Sequence, residues 1–132
     1  TLHTPSASKT IDRIIDVFPA GQQNQIRTTL SEAVKGVIAQ NLFTRVDKPG
    51  RVAALEVLVV DTPVANTIRE GKTHQIPGMI EVGKQKGNVP LDDAIMGHLE
   101  AGRIDGEEAF DKCISKKRFL PYLKREPEPW EL

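Results

Sequence analysis

From Thr44 onward the apolar residues stop recurring at helical spacing. Thr44-Arg45-Val46-Asp47 is a short strand candidate, Lys48-Pro49-Gly50 a turn, and Arg51 to Val60 a stronger strand rich in Val and Leu. The pair reads as a β-hairpin. The near-continuous run Val57-Leu58-Val59-Val60 predicts burial on both faces of the second strand. Glu56 is the only acid in that strand and is expected to face an edge, paired with Arg45 or Arg51 across the hairpin.

Around the hairpin the pattern is helical. Thr4 as N-cap and Pro5 as first residue predict a helix whose apolar face is Ile11, Ile14, Ile15 and Phe18, ended by Pro19-Ala20-Gly21. A longer helix is predicted from about Gln22 to Leu42, on the stripe Ile26, Leu30, Val34, Val37, Ile38 and Leu42. Gly36 inside it costs roughly 1 kcal/mol against Ala, which points to close packing against another element. After the hairpin, Thr62 as cap and Pro63 as first residue open a helix ending at Gly71. Short helices are expected at Pro77 to Lys86, Leu91 to Ala101 and Gly106 to Ile114, with Gly87 and Gly102 as C-caps. Asp105 and Glu108 form a capping-box-like start to the last of these. Phe119, Leu120, Tyr122 and Leu123 add a final turn. The alternating prolines of Glu126-Pro127-Glu128-Pro129 predict an extended or disordered tail.

The composition limits what such a chain can do. Lys plus Arg total 18 and Asp plus Glu total 18, so the formal net charge is zero, which argues against a nucleic-acid binder. One cysteine excludes an intrachain disulfide and a thiolate metal cluster, and points to a reducing, cytosolic compartment. No run approaches the ~20 apolar residues of a membrane span. The opening Thr1-Leu2-His3-Thr4 lacks Met and reads neither as a signal peptide nor as a native start; a processed chain or a piece of a longer one is expected.

The chemical motifs are sparse. Gly71-Lys72-Thr73 has the end of a phosphate-binding loop, but that loop needs a Gly five positions before Gly71, where Asn66 stands, and a preceding strand, where a helix is predicted. It reads as a decoy. His3, His74 and His98 show no zinc spacing, so no metal is expected. Cys113 reads as a small core residue, and no serine sits in a Gly-x-Ser-x-Gly setting. Six basic residues and no acid lie between Lys112 and Arg125; such runs are usually solvated faces, the other reading being a docking surface for an acidic partner.

Thr1-Leu2-His3-Thr4, the stretch Ser8 to Pro19, Gly36-Val37-Ile38-Ala39-Gln40, Gly50 to Leu58, and Ile68-Arg69-Glu70-Gly71-Lys72-Thr73-His74-Gln75-Ile76-Pro77 together resemble the type IV pilus retraction ATPases, the PilT branch of the secretion ATPase superfamily. The resemblance fades after about Phe110. It implies an α-rich α/β fold: residues 1–61 as the C-terminal part of a RecA-like P-loop ATPase core (two helices and a β-hairpin), 62–125 as a small helical bundle, and 126–132 as a disordered tail. His3 matches the His box of that family, which approaches the γ-phosphate of ATP. An imidazole there can report whether the terminal phosphate is present. The family's retraction motif Ala-Ile-Arg-Asn-Leu-Ile-Arg-Glu aligns with 63–70, where Asn66, Ile68, Arg69 and Glu70 match while Pro63, Ala65 and Thr67 depart.

The resemblance further implies a homo-hexamer that hydrolyses ATP with Mg²⁺, acts on a platform protein at the pilus base, and sits in the cytoplasm against the inner membrane. The family's phosphate-binding loop, acidic boxes and arginine fingers lie upstream of the His box, so this chain alone is expected to bind no cofactor. The other readings are a stand-alone helical interaction module without nucleotide and a related secretion or pilus-extension ATPase.

Overall fold

A computed structural model describes residues 1–132. Helices α1 (Ala7–Asp16) and α2 (Gln23–Ala33) precede the antiparallel strands β1 (Gly36–Thr44) and β2 (Arg51–Val59). Then follow α3 (Thr62–Arg69), α4 (Ile76–Val82), α5 (Leu91–Glu100), α6 (Gly106–Lys112) and α7 (Lys116–Phe119). This is the expected order of two helices, a hairpin and a run of short helices.

The chain forms two compact units, Thr1–Gln40 with Leu55–Pro90, and Asn41–Ala54 with Leu91–Leu132. The hairpin contributes to both. The division does not fall at 61/62, because α3 shares a core with α1. In the first unit Ala7, Ile11 and Ile15 of α1 bury against Leu58, Val64, Ile68, Ile76 and Ile80. In the second unit Phe43 and Ala54 bury with Leu91, Ile95, Ile104, Ala109, Phe110, Cys113 and Phe119. With few aromatics available, aliphatic side chains make the first core and three phenylalanines the second.

The helix predicted to run to Leu42 stops at Ala33, and Gly36–Thr44 is strand instead. Val34, Val37 and Ile38 are β-branched and favour a pleated surface over a helix interior. Gly36 does permit a close approach, to β2: a Cβ there would lie 3.3 Å from the Leu58 carbonyl oxygen. The hairpin is framed by Val60 N–H donating to the Lys35 carbonyl and Arg45 N–H donating to the Gly50 carbonyl. Thr44 to Asp47, predicted as the first strand, is its end and the start of the turn. Arg45 there pairs with Asp47 at 2.6 Å.

Burial on both faces of β2 is not observed. Ala54, Glu56 and Leu58 are buried while Leu55 and Val59 remain exposed, and Ile38 on β1 is 68% exposed. A two-stranded sheet has one face against helices, so alternation returns despite the apolar run.

The caps also differ by a residue or two. Ser6, not Thr4, caps α1 by accepting from Lys9 N–H at 3.3 Å. Asp61, not Thr62, caps α3 by accepting from Val64 N–H at 3.1 Å. A carboxylate is the better partner for a helix N-terminus, and the Lys86 ammonium and that N–H together hold Asp61 below the usual carboxylate range. Asp105 caps α6, but Glu108 does not close a capping box; it turns to the Thr44 N–H at 3.1 Å. The tail is not extended throughout: Pro129–Glu131 forms a single turn, held by Arg125 to Glu131 at 2.7 Å.

Candidate functional site

His3 lies in the exposed segment ahead of α1 and makes no hydrogen bond or ion pair of its own. The residues after it are tied down. The hydroxyls of Thr4 and Thr10 meet at 2.5 Å, and Thr10 Oγ1 donates to the Ser6 carbonyl at 2.8 Å. Glu56 is not an edge residue paired with Arg45 or Arg51. It is 4% exposed, and its Oε1 accepts from Ala7 N–H at 2.9 Å. The expectation failed because the partner is 49 positions away on another element; the signal was an acid alone in an apolar strand.

The four residues that match the motif expected from the resemblance, Asn66, Ile68, Arg69 and Glu70, divide between core and surface around α3. Ile68 is fully buried among Ile11, Ile15 and Ile76. Asn66 and Arg69 are exposed and joined, Arg69 Nη1 donating to Asn66 Oδ1 at 2.9 Å. Glu70 pairs with Lys72 at 3.3 Å, both side chains more than half exposed. Thr67, a departure from the family motif, turns its hydroxyl to the Pro63 carbonyl at 3.0 Å. No hydrogen bond or ion pair joins His3 to this motif.

Gly71-Lys72-Thr73 follows a helix, and its groups are engaged within the chain. Gly71 has φ +73° and lies under the Arg27 guanidinium, where a Cβ would come 3.3 Å from Arg27 Nε. Lys72 pairs with Glu70, and the Thr73 hydroxyl donates to Asp12 Oδ1 at 2.6 Å. Neither a cradle of backbone N–H groups nor a free Lys faces a phosphate here, so these residues do not fit ATP or Mg²⁺.

The other histidines and the cysteine have structural surroundings. His98 Nε2 lies 2.8 Å from the Ala53 carbonyl oxygen and Nδ1 3.2 Å from Arg103. Cys113 donates its S–H to the Phe110 carbonyl, and burial pushes its thiol up, away from nucleophile chemistry. The basic run is largely consumed inside its own unit. Lys112 reaches Glu108 and the Leu42 carbonyl, Lys116 the carbonyls of Phe110 and Asp111, Arg118 reaches Asp93, and Arg125 reaches Glu107 and Glu131. No helix is long and apolar enough to cross a membrane.

No family model matches the chain. A Neisseria gonorrhoeae protein named "Twitching motility protein" is 43% identical over 109 residues, covering 83% of this chain and 29% of that protein. A Pseudomonas aeruginosa protein named "Type IV pilus retractation ATPase PilT" is 40% identical over 119 residues, covering 90% of this chain and 34% of that one. The crystal structure of the pilus retraction motor PilT with bound ADP matches the fold with a TM-score of 0.76 at 33% identity, over 89% of this chain and 32% of that chain. The chain is a homologue of the pilus retraction ATPases. It spans about a third of the length of the curated relatives it matches. Sequence and fold agree over the same share of the chain, so the resemblance extends well beyond short motifs.

Proposed function

We propose that this chain is the C-terminal part of a motor ATPase that powers type IV pilus retraction, and that ATP and Mg²⁺ are held by residues outside it. The observation that supports this most is the joint match in sequence and fold to retraction ATPases over about nine tenths of the chain. Thr73 and Lys72 are engaged with Asp12 and Glu70, which supports assigning the nucleotide cradle to residues other than Gly71-Lys72-Thr73.

In this reading His3 supplies a contact to the terminal phosphate. It is exposed and unpaired in front of α1, so its imidazole is available to a neighbouring element. The motif on α3 couples a buried anchor, Ile68, to the exposed Asn66, Arg69 and Glu70. Those exposed groups are placed to meet another part of the motor or another subunit of a homo-hexamer. The intact protein would act in the cytoplasm at the pilus base, against its platform protein.

A direct test replaces the matching segment of the P. aeruginosa relative with this chain, in cells lacking that relative. Restored twitching supports the reading. A chimera that folds and binds ATP yet restores neither ATP turnover nor motility contradicts it.

A further inference from the structure

Glu56 has more chemistry than packing requires. It is 4% exposed in a strand of Val, Leu and Ala, one carboxylate oxygen accepts from the Ala7 N–H, and the other, which has no protein partner, reaches solvent. A buried carboxylate is unfavourable unless something compensates its charge. One of its oxygens meets the N-terminus of α1, whose first turn contains no acid of its own. The first N–H groups of a helix lack partners within the helix. Ser6 satisfies that of Lys9, and Glu56 satisfies that of Ala7 from a different element.

The path of the chain before α1 follows from these bonds. Glu56 fixes Ala7, Thr10 fixes Ser6 through its carbonyl, and Thr10 also meets Thr4. His3 is the next residue. Three tethers therefore end one position short of an exposed imidazole that has no tether itself.

We propose that Glu56 is a positioning residue for His3: its carboxylate fixes where α1 begins, and through Ala7, Ser6 and Thr4 it fixes the point from which His3 presents its ring. The functional consequence rests on the phosphate-contact reading of His3 given above; the positioning itself does not. The acid at 56 is accounted for by the bond it makes to the Ala7 N–H.

Two substitutions separate the bond from the burial. Glu56→Gln keeps an acceptor oxygen at the same reach, and Glu56→Leu removes it. In the 132-residue chain, NMR reads amide exchange at Ala7 and the ring resonances of His3. Glu56→Leu is expected to speed Ala7 exchange about tenfold or more, the range for losing a hydrogen bond to a charged group, and to shift the His3 ring signals. Glu56→Gln is expected to retain most of both. Ile80→Val, a core truncation in the same unit, is expected to lower stability and leave the His3 signals in place. If Glu56→Leu does not fold, Glu56→Asp withdraws the carboxylate by one methylene and is expected to shift the same signals. Wild-type Ala7 exchange and His3 signals in the folded Leu or Asp variant would overturn the proposal. In a polypeptide that also contains the phosphate-binding loop, Glu56→Leu is expected to lower turnover with ATP affinity unchanged, and to add nothing to His3→Ala. Shifted His3 signals together with unaffected turnover in His3→Ala would uphold the positioning and remove the phosphate reading.

Discussion

The Thr73 hydroxyl donates to Asp12 Oδ1 at 2.6 Å, joining residues 61 positions apart. Through this bond the segment after α3 is tied to α1. It also removes from Gly71-Lys72-Thr73 the hydroxyl that a phosphate-binding loop would direct at Mg²⁺. Thr73 is a structural residue in this chain, and its neighbour Lys72 is a surface one.

Thr73→Val should therefore cost about 1–3 kcal/mol, because it leaves the Asp12 carboxylate without this partner. Lys72→Ala should cost less than about 1 kcal/mol, since its pair with Glu70 is exposed. Urea unfolding of the two variants gives both values. A larger loss for Lys72→Ala than for Thr73→Val would contradict this assignment.

Residues 63–70 make a similar contrast on one helix. Ile68→Ala removes a fully buried side chain and should cost about 2–5 kcal/mol. Arg69→Ala loses only an exposed bond to Asn66 and should change stability by less than about 1 kcal/mol. Under the proposed function, Arg69→Ala in the full-length protein should nevertheless reduce motility. Unfolding curves and a motility assay on the same variants separate anchoring from coupling.

Gly106 opens α6 where the Tyr122 carbonyl oxygen closes over it, and a Cβ there would collide with that oxygen. The obstacle is backbone and cannot swing aside. Gly106→Ala should destabilise by about 1–3 kcal/mol, as overpacking does, although Ala is the better helix former. A thermal melt at or above that of the wild type would contradict the close approach.

Glu131 anchors the tail. The Arg125 guanidinium first, and the Glu128 N–H second, hold its carboxyl at about 2 rather than the ordinary 4.5. A depressed carboxylate contributes fully above its ordinary value, and that contribution is lost as the pH falls through about 2. The turn at Pro129–Glu131 should therefore persist at pH 4.5 and loosen towards pH 2. A carbon-13 titration of the Glu131 carboxyl should show the low midpoint, and Arg125→Ala should return it towards 4.5. A midpoint near 4.5 in the unaltered chain would show the anchor to be absent.

The hairpin was legible from its turn, Lys48-Pro49-Gly50, and from the β-rich stretch after it. Its first strand was not, because Val34, Val37 and Ile38 continue the helical spacing of Ile26 and Leu30. Pairing with β2 decided between the two, and pairing is not a local property. The caps slipped for a related reason. Thr62-Pro63 is a good start signal, but Asp61 stands one residue earlier with a charge to offer. The partner of Glu56 is the backbone of a residue 49 positions away, which no cross-strand rule can find. The candidate site was legible only through resemblance: neither the lone His3 nor the surface of α3 has a spacing that names a reaction.

The proposed function makes His3 a phosphate-sensing contact in a motor whose nucleotide cradle is formed by residues outside this chain. ATP affinity, ATP turnover and melting temperature measured on one His3→Ala preparation of a polypeptide that includes the phosphate-binding loop test this contact. Affinity should stay nearly unchanged, because the loop and its Mg²⁺ supply most of it. A contact worth about 1.5–3 kcal/mol, as for a hydrogen bond to a charged group, should slow turnover by roughly 10- to 150-fold if it is made only on the way to hydrolysis. Normal turnover in folded His3→Ala, whatever its melting temperature, would contradict the phosphate contact.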